Sequence, residues 1–151
     1  MTRLEAYDIS LDVPPGWEAR AFCHEGGEPT IHLATFALPP SDGEFGSHAT
    51  EAMPDGALFL ALTEYALRPV DLRRGIFARK PPSRLAPEML SERTLLRPLP
   101  GRRGAQRFFS VAGRGFCLYV VAARAGVRHL DAANVVLASL SVRGRRNTGS
   151  T

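Results

Sequence analysis

Apolar and polar residues alternate with period two over Tyr7-Asp8-Ile9-Ser10-Leu11-Asp12-Val13, which predicts a half-buried strand with Tyr7, Ile9, Leu11 and Val13 on one face. Trp17 to Cys23 alternates again. Between them Pro14-Pro15-Gly16 is a turn signal, because Pro presets φ and Gly supplies positive φ. The first 23 residues therefore read as a β-hairpin. A polar loop from His24 to Glu28 leads to a third strand, Thr30 to Leu38, stopped by Pro39-Pro40. Residues 41–55 are rich in Gly, Ser, Asp and Pro and read as a loop with one short helical turn near His48 to Met53. Ala57 to Tyr65 is a continuous apolar run ending in Thr63-Glu64, the pattern of a central strand.

Residues 66–100 are the least regular part of the chain. They are rich in Pro, with a short helix predicted at Ala86 to Glu92 and a brief edge strand at Leu95 to Leu99, where Pro98 is tolerable because an edge residue need not donate to the ladder. The clearest local signal follows. Gln106 to Val111 and Phe116 to Ala122 are strand-type runs separated by Ala112-Gly113-Arg114-Gly115, which predicts a second hairpin. Apolar residues at Val127, Leu130, Ala133 and Leu137 give an amphipathic helix over Val127 to Ala138, and Ser139 to Val142 reads as a closing strand. The prediction is an α+β fold: a single antiparallel β-sheet with flanking helices, one domain over residues 1–143, and a disordered polar tail at 144–151.

Composition narrows the class without changing that picture. The chain has 151 residues, 44% hydrophobic and 23% charged, enough to bury a core without a metal or disulfide staple. Arg3, Glu5, Asp8 and Asp12 interrupt the opening segment, so no secretory signal is expected. The longest apolar runs, 56–62 and 115–123, are far short of the roughly 20 residues that a spanning helix needs. Cys23 and Cys117 lie far apart and neither has a nearby thiol partner, so both read as small apolar residues in a reducing compartment. A cytoplasmic protein with no membrane association and no cofactor is expected.

Charge changes the picture more. Arg accounts for 18 of the 19 basic residues, a bias that a GC-rich genome would also write. The signs are sorted: residues 1–75 carry 12 acidic and 5 basic side chains, residues 76–151 carry 3 acidic and 14 basic. Opposite charges could meet within the fold or across a homodimer, or the basic half could recruit an anionic partner. Residues 93–130 hold eight Arg and no acid, and within them Arg102, Arg103, Arg107 and Arg114 are the candidate binding residues, whose guanidinium groups could fork onto carboxylate or phosphate. Nucleic acid is disfavoured as the partner, because there is no recognisable DNA-reading helix and few aromatics lie among the Arg.

Catalytic and metal chemistry find little support in the sequence. Arg114-Gly115-Phe116 matches the start of an RNA-binding strand motif, but the base-stacking positions hold Leu118 and Val121. His24, His32, His48 and His129 do not fall at metal-ligand spacing with either Cys. Asp42-Gly43-Glu44-Phe45-Gly46 lacks the ligand count of a calcium loop. Cys117 with His32 or His48 and Asp42 could be drawn as a hydrolytic trio, with no nucleophile elbow or zinc motif to support it. No catalytic and no metal residue is assigned.

The opening strand ending in Pro14-Pro15-Gly16-Trp17, together with the closing Leu130-Asp131-Ala132-Ala133-Asn134-Val135-Val136-Leu137-Ala138-Ser139-Leu140, resembles the Mog1/PsbP-like group, which includes DcrB-type bacterial proteins. The resemblance covers the two ends of the chain, about 30 residues; the centre looks like an uncharacterised bacterial family. It implies an antiparallel sheet flanked by helices and a non-catalytic role, as adaptor, accessory subunit or chaperone. It carries over no site residue. The function expected is a protein-interaction module that docks a protein partner on a sheet face or edge. A small-molecule-binding or hydrolytic domain and an anionic-ligand or nucleic-acid binder are the alternatives.

Overall fold

In the computed structural model, residues 1–41 and 46–144 are described. Asp42 to Phe45, which include the Asp42 of the hydrolytic trio and most of the calcium-like loop, and the predicted tail beyond Gly144 lie outside the described residues.

Two tight hairpins organise the chain. Strands β1 (Thr2–Ala6) and β2 (Ile9–Val13) pair in register Ala6↔Ile9, leaving only Tyr7 and Asp8 as the turn. Both have positive φ, 55° and 60°, the type I′ geometry whose twist matches paired strands. The predicted hairpin around Pro14-Pro15-Gly16 does not form. That segment is a type II turn, with Pro15 second, Gly16 third at φ 81°, and the Trp17 N–H donating to the Pro14 carbonyl at 3.1 Å. Type II geometry splays the flanking strands instead of pairing them. It sends β3 (Glu18–Cys23) away from β2 to pair with β4 (Pro29–Ala34).

The expected single sheet is therefore two antiparallel sheets. A three-stranded sheet has the order β1-β2-β8, where β8 is Ser141–Val142. A five-stranded sheet has the order β3-β4-β5-β7-β6, with β5 (Leu58–Tyr65) central as its apolar run predicted, and β6 (Arg103–Val111) and β7 (Arg114–Ala122) forming the second hairpin. Its turn is Ala112-Gly113 alone, at φ 53° and 73°, two residues tighter than predicted.

Continuous apolar sequence in β5 and β7 reflects burial on both sides. On one face Leu58, Leu60 and Leu62 share a core with Phe116, Leu118 and Val120, with Ile9, Leu11 and Val13 of β2, and with Leu130, Ala133 and Val136 of helix α2 (Leu130–Ser139). On the other, Phe59, Ala61, Tyr119 and Val121 pack under Ala49 of helix α1 (Ser47–Glu51), Met53 and Phe36. Each such large side chain taken from water contributes roughly 1.5–3 kcal/mol.

α2 begins later than predicted, after a 3-10 turn over Gly126–His129; the turn is entered through Ala125 at φ 62° and packs so closely that a Cβ on Gly126 would lie 2.1 Å from the Ala57 carbonyl oxygen. Ser139, expected in the last strand, ends the helix instead. Its hydroxyl donates to the Val136 carbonyl at 2.7 Å and accepts from the Asp12 N–H at 2.8 Å, tying α2 to β2.

The irregular middle of the chain covers a sheet edge. Ser91 and Gly104 exchange backbone hydrogen bonds at 2.8 and 2.9 Å, and the Ser110 N–H donates to the Arg79 carbonyl at 3.0 Å. These contacts occupy both ends of β6's outer edge, which would otherwise offer unpaired backbone groups to another chain. Leu95 to Leu99 is not a strand: the Leu96 N–H donates to the Tyr119 hydroxyl at 2.9 Å instead of joining a ladder. The predicted helix at Ala86 to Glu92 reduces to a 3-10 turn at Pro87–Met89, because Leu90 returns to extended backbone and drops into the core.

Candidate functional site

The four candidate Arg do not form one surface. β6 runs from Arg103 to Val111, whose partner across the turn is Arg114, so Arg103 and Arg114 lie about 26 Å apart along the sheet. Arg103 is exposed. Arg102 is half-buried and spent on backbone: its guanidinium donates to the Met53 carbonyl at 2.7 Å and the Pro100 carbonyl at 3.2 Å, pinning the turn before β6 to the end of α1. Arg107 is half-buried and donates to the Gln106 carbonyl at 2.9 Å. Arg114 is buried, which corrects its assignment as a surface charge.

Arg114 faces Glu64 across the β5–β7 seam. Nη2 and Nε donate to the two carboxylate oxygens at 2.5 and 3.1 Å, and Nη1 donates to the Arg143 carbonyl at 3.0 Å. Both side chains are under 5% exposed, and the guanidinium carbon lies 5.5 Å from the Phe116 ring centre. This pair closes the open end of the core between the sheets. It also joins residues 50 positions apart, from the acidic and the basic halves of the chain. Arg97 likewise pairs with Glu51, at 2.6 Å. Two Arg of the acid-free run from 93 to 130 are thus met in space by carboxylates of the first half.

Of the described members of the hydrolytic trio, Cys117 and His32 are not brought together. His32 sits between the Phe22 and Phe59 rings, each 5.0 Å away, on the same sheet face as Cys117. The two lie two strands apart, a spacing of about 9.6 Å, and are also offset along the strands, beyond hydrogen-bond reach. Burial raises the Cys117 thiol from an ordinary 9.0 to about 11. At neutral pH only roughly one molecule in ten thousand carries the nucleophilic thiolate. His48 is exposed on α1, with Nδ1 3.0 Å from the Ser41 carbonyl oxygen. Among the described residues no three His, Cys, Asp or Glu side chains are grouped to hold a metal. Neither cysteine is in a disulfide; Cys23 is exposed. No helix among the described residues is long and apolar enough to cross a membrane.

A cleft does form where the Glu64–Arg114 pair lies. It encloses about 580 Å³, with the ion pair, Tyr65, Leu67, Leu72 and Ala112 among its walls. Residues 67–77 make one side, a strap held by aromatic contacts: Phe77 lies 5.6 Å from Tyr65 and 5.4 Å from Phe108. Gly115 permits the closure, since a Cβ there would stand 2.4 Å from Leu67 and 3.0 Å from Leu72. The Ser110 hydroxyl donates to the Leu72 carbonyl at 3.3 Å. Arg68 donates to Asp71 at 3.2 and 3.3 Å and holds that carboxyl below its ordinary range. The strap also forms a second, open groove of about 420 Å³ along Leu67, Val70, Ile76 and Phe77, with Arg74 and the Arg68–Asp71 pair.

The strap has no helix or strand period and reads from its sequence as irregular chain. A signal was there: Val70, Ile76 and Phe77 interleaved with Arg73, Arg74, Arg79 and Lys80. Comparison with protein-family models, curated proteins and solved structures returns no match to this chain.

Proposed function

We propose that this chain is a cytoplasmic, non-catalytic interaction module that binds a protein partner at the end of the five-stranded sheet where the strap and cleft lie. The observation that carries the reading is the strap itself, a braced apolar surface with Val70 and Ile76 37% and 53% exposed. Exposed apolar groups beside a preformed groove are what protein interfaces use as anchors. The chemistry around it supports binding over catalysis. The charged pair in the cleft is mutually neutralised, and the thiol at Cys117 is held protonated. The resemblance of both chain ends to the Mog1/PsbP-like group supports the same adaptor-type role, and the two-sheet α+β arrangement is compatible with it.

A photo-crosslinking side chain placed at Ile76, and as a control at Val135 on α2, tests the reading in the cells that make the protein. A discrete adduct from position 76 and none from position 135 is expected; no adduct from 76, or the same adducts from both, overturns it. The cleft's volume also suits a small ligand, since such sites run to roughly 300–1,000 Å³. That second reading predicts a rise in melting temperature with a small-molecule collection, abolished by Ala112→Trp at the cleft's rim.

A further inference from the structure

We propose that the open groove of the strap is built for an acidic, extended segment of the partner carrying aliphatic side chains; this rests on the interaction-module reading and names the chemistry of the partner. Residues 66–80 hold five basic side chains and one acid. The acid, Asp71, is already engaged by Arg68. Arg74 lines the groove with the half-buried Leu67 and Phe77 and the Arg68–Asp71 pair, and Arg73, Arg79 and Lys80, exposed on the same strap, add to the positive charge of the segment. An occupant that complements it is negative at its edges and apolar at its centre.

The groove is braced before anything binds. Phe77 is held against Tyr65 and Phe108, and Ser110 bonds to both the Leu72 and Arg79 carbonyls. A braced groove loses little freedom on docking. The strap favours a peptide over a lipid surface, because peripheral membrane segments present a long apolar helix face and the helical pieces here are three residues each, with only Val70 and Ile76 as large exposed apolar side chains.

The test uses the full chain and a fluorescein-labelled octapeptide in which one Leu and one Ile are each flanked by paired Glu. Anisotropy should rise on titration, and binding should weaken about tenfold or more with Arg73→Glu/Arg74→Glu and fall steeply with added salt. Ile76→Ser should weaken it several-fold while leaving the thermal melt unchanged, which separates docking from folding. Peptides with Lys for Glu, or Ser for Leu and Ile, should not bind. Absence of binding by the acidic peptide overturns the proposal. So does a preference for phosphatidylserine vesicles lost in the same variants, or a concentration-dependent dimer abolished by them, each of which assigns the groove to another occupant. A crosslink at Ile76 that persists unchanged in Arg73→Glu/Arg74→Glu overturns the acidic-segment proposal and leaves the interaction module standing; no crosslink at all removes both.

Discussion

Removing one member of the Glu64–Arg114 pair should cost far more than removing both. With charge centres roughly 4 Å apart and an effective dielectric near 20, the mutual attraction is about 4 kcal/mol, and much of it is spent on desolvating the two ions. Glu64→Gln leaves a guanidinium at 4% exposure with its counter-charge gone; Arg114→Met leaves a carboxylate at 3% exposure. Each should lose about 3–5 kcal/mol, a large part of a domain stability of about 5–15 kcal/mol. The double variant Glu64→Leu/Arg114→Met leaves no buried charge, continues the apolar surface of Leu62 and Phe116, and frees the Arg143 carbonyl to bond water. It should fall within about 1 kcal/mol of the parent or exceed it. Trp17, the one tryptophan, packs edge-on to His129 at 6.5 Å and reports urea unfolding of this core. Arg3→Ala is the control, since the exposed Arg3–Asp12 pair should be worth under about 1 kcal/mol. Single variants as mild as that control, or a double variant as unstable as the two singles combined, would refute the reasoning.

Cys117 makes stability fall in alkali: its thiol titrates near 11 when folded and near 9.0 when free, so the unfolded chain loses its proton first. The contribution is complete below pH 9.0 and is lost as pH rises through 11, up to about 2.7 kcal/mol, a loss that Cys117→Ala should remove in urea titrations across that range. In native protein at neutral pH iodoacetamide should label Cys23 and spare Cys117 until urea is added; equal labelling of both would contradict the buried thiol. Gly115→Ala drives a methyl group into Leu67 and Leu72 and should cost about 1–3 kcal/mol by overpacking, with the strap, followed by hydrogen exchange of residues 67–77, loosened more than the β1–β2 hairpin. Ala112→Gly should stabilise by about 0.5–1 kcal/mol in urea melts because Ala112 occupies φ 53° in a type I′ turn; a loss of stability would mean that the turn is not strained.

Elements with strong local signals were legible from sequence, and their partners were not. The β6–β7 hairpin, the central β5, the short turn at α1 and the helix α2 follow from periodicity and turn chemistry confined to a few residues. Pro14-Pro15-Gly16 was read as a turn, which it is, but its sequence does not distinguish a turn that pairs its flanks from one that parts them. The type II geometry decided that, and with it the number of sheets. β1 escaped notice because its turn uses Tyr7 and Asp8 where Asn-Gly would have announced it. The middle of the chain was illegible for a different reason. Its bonds go to the edge of β6 and to Tyr119, tertiary partners that leave no period in the segment's own sequence.

The sorting of charge shows how the same limit bears on the site. A count along the chain pointed to the run from Arg93 to Arg128, yet the sheet places β5 of the acidic half against β7 of the basic half. At that seam Arg114 becomes part of the core's closure, and Arg97 is met by Glu51. Two cations far from acids in sequence were neutralised by the topology. Those at 73, 74, 79 and 80 lie in a segment whose one acid is consumed by its nearest Arg, and the braced strap holds them at the surface. Where a charge can act is therefore set by what the strands bring beside it, and the strap sets exposed cations on the same short segment as the exposed apolar Val70 and Ile76.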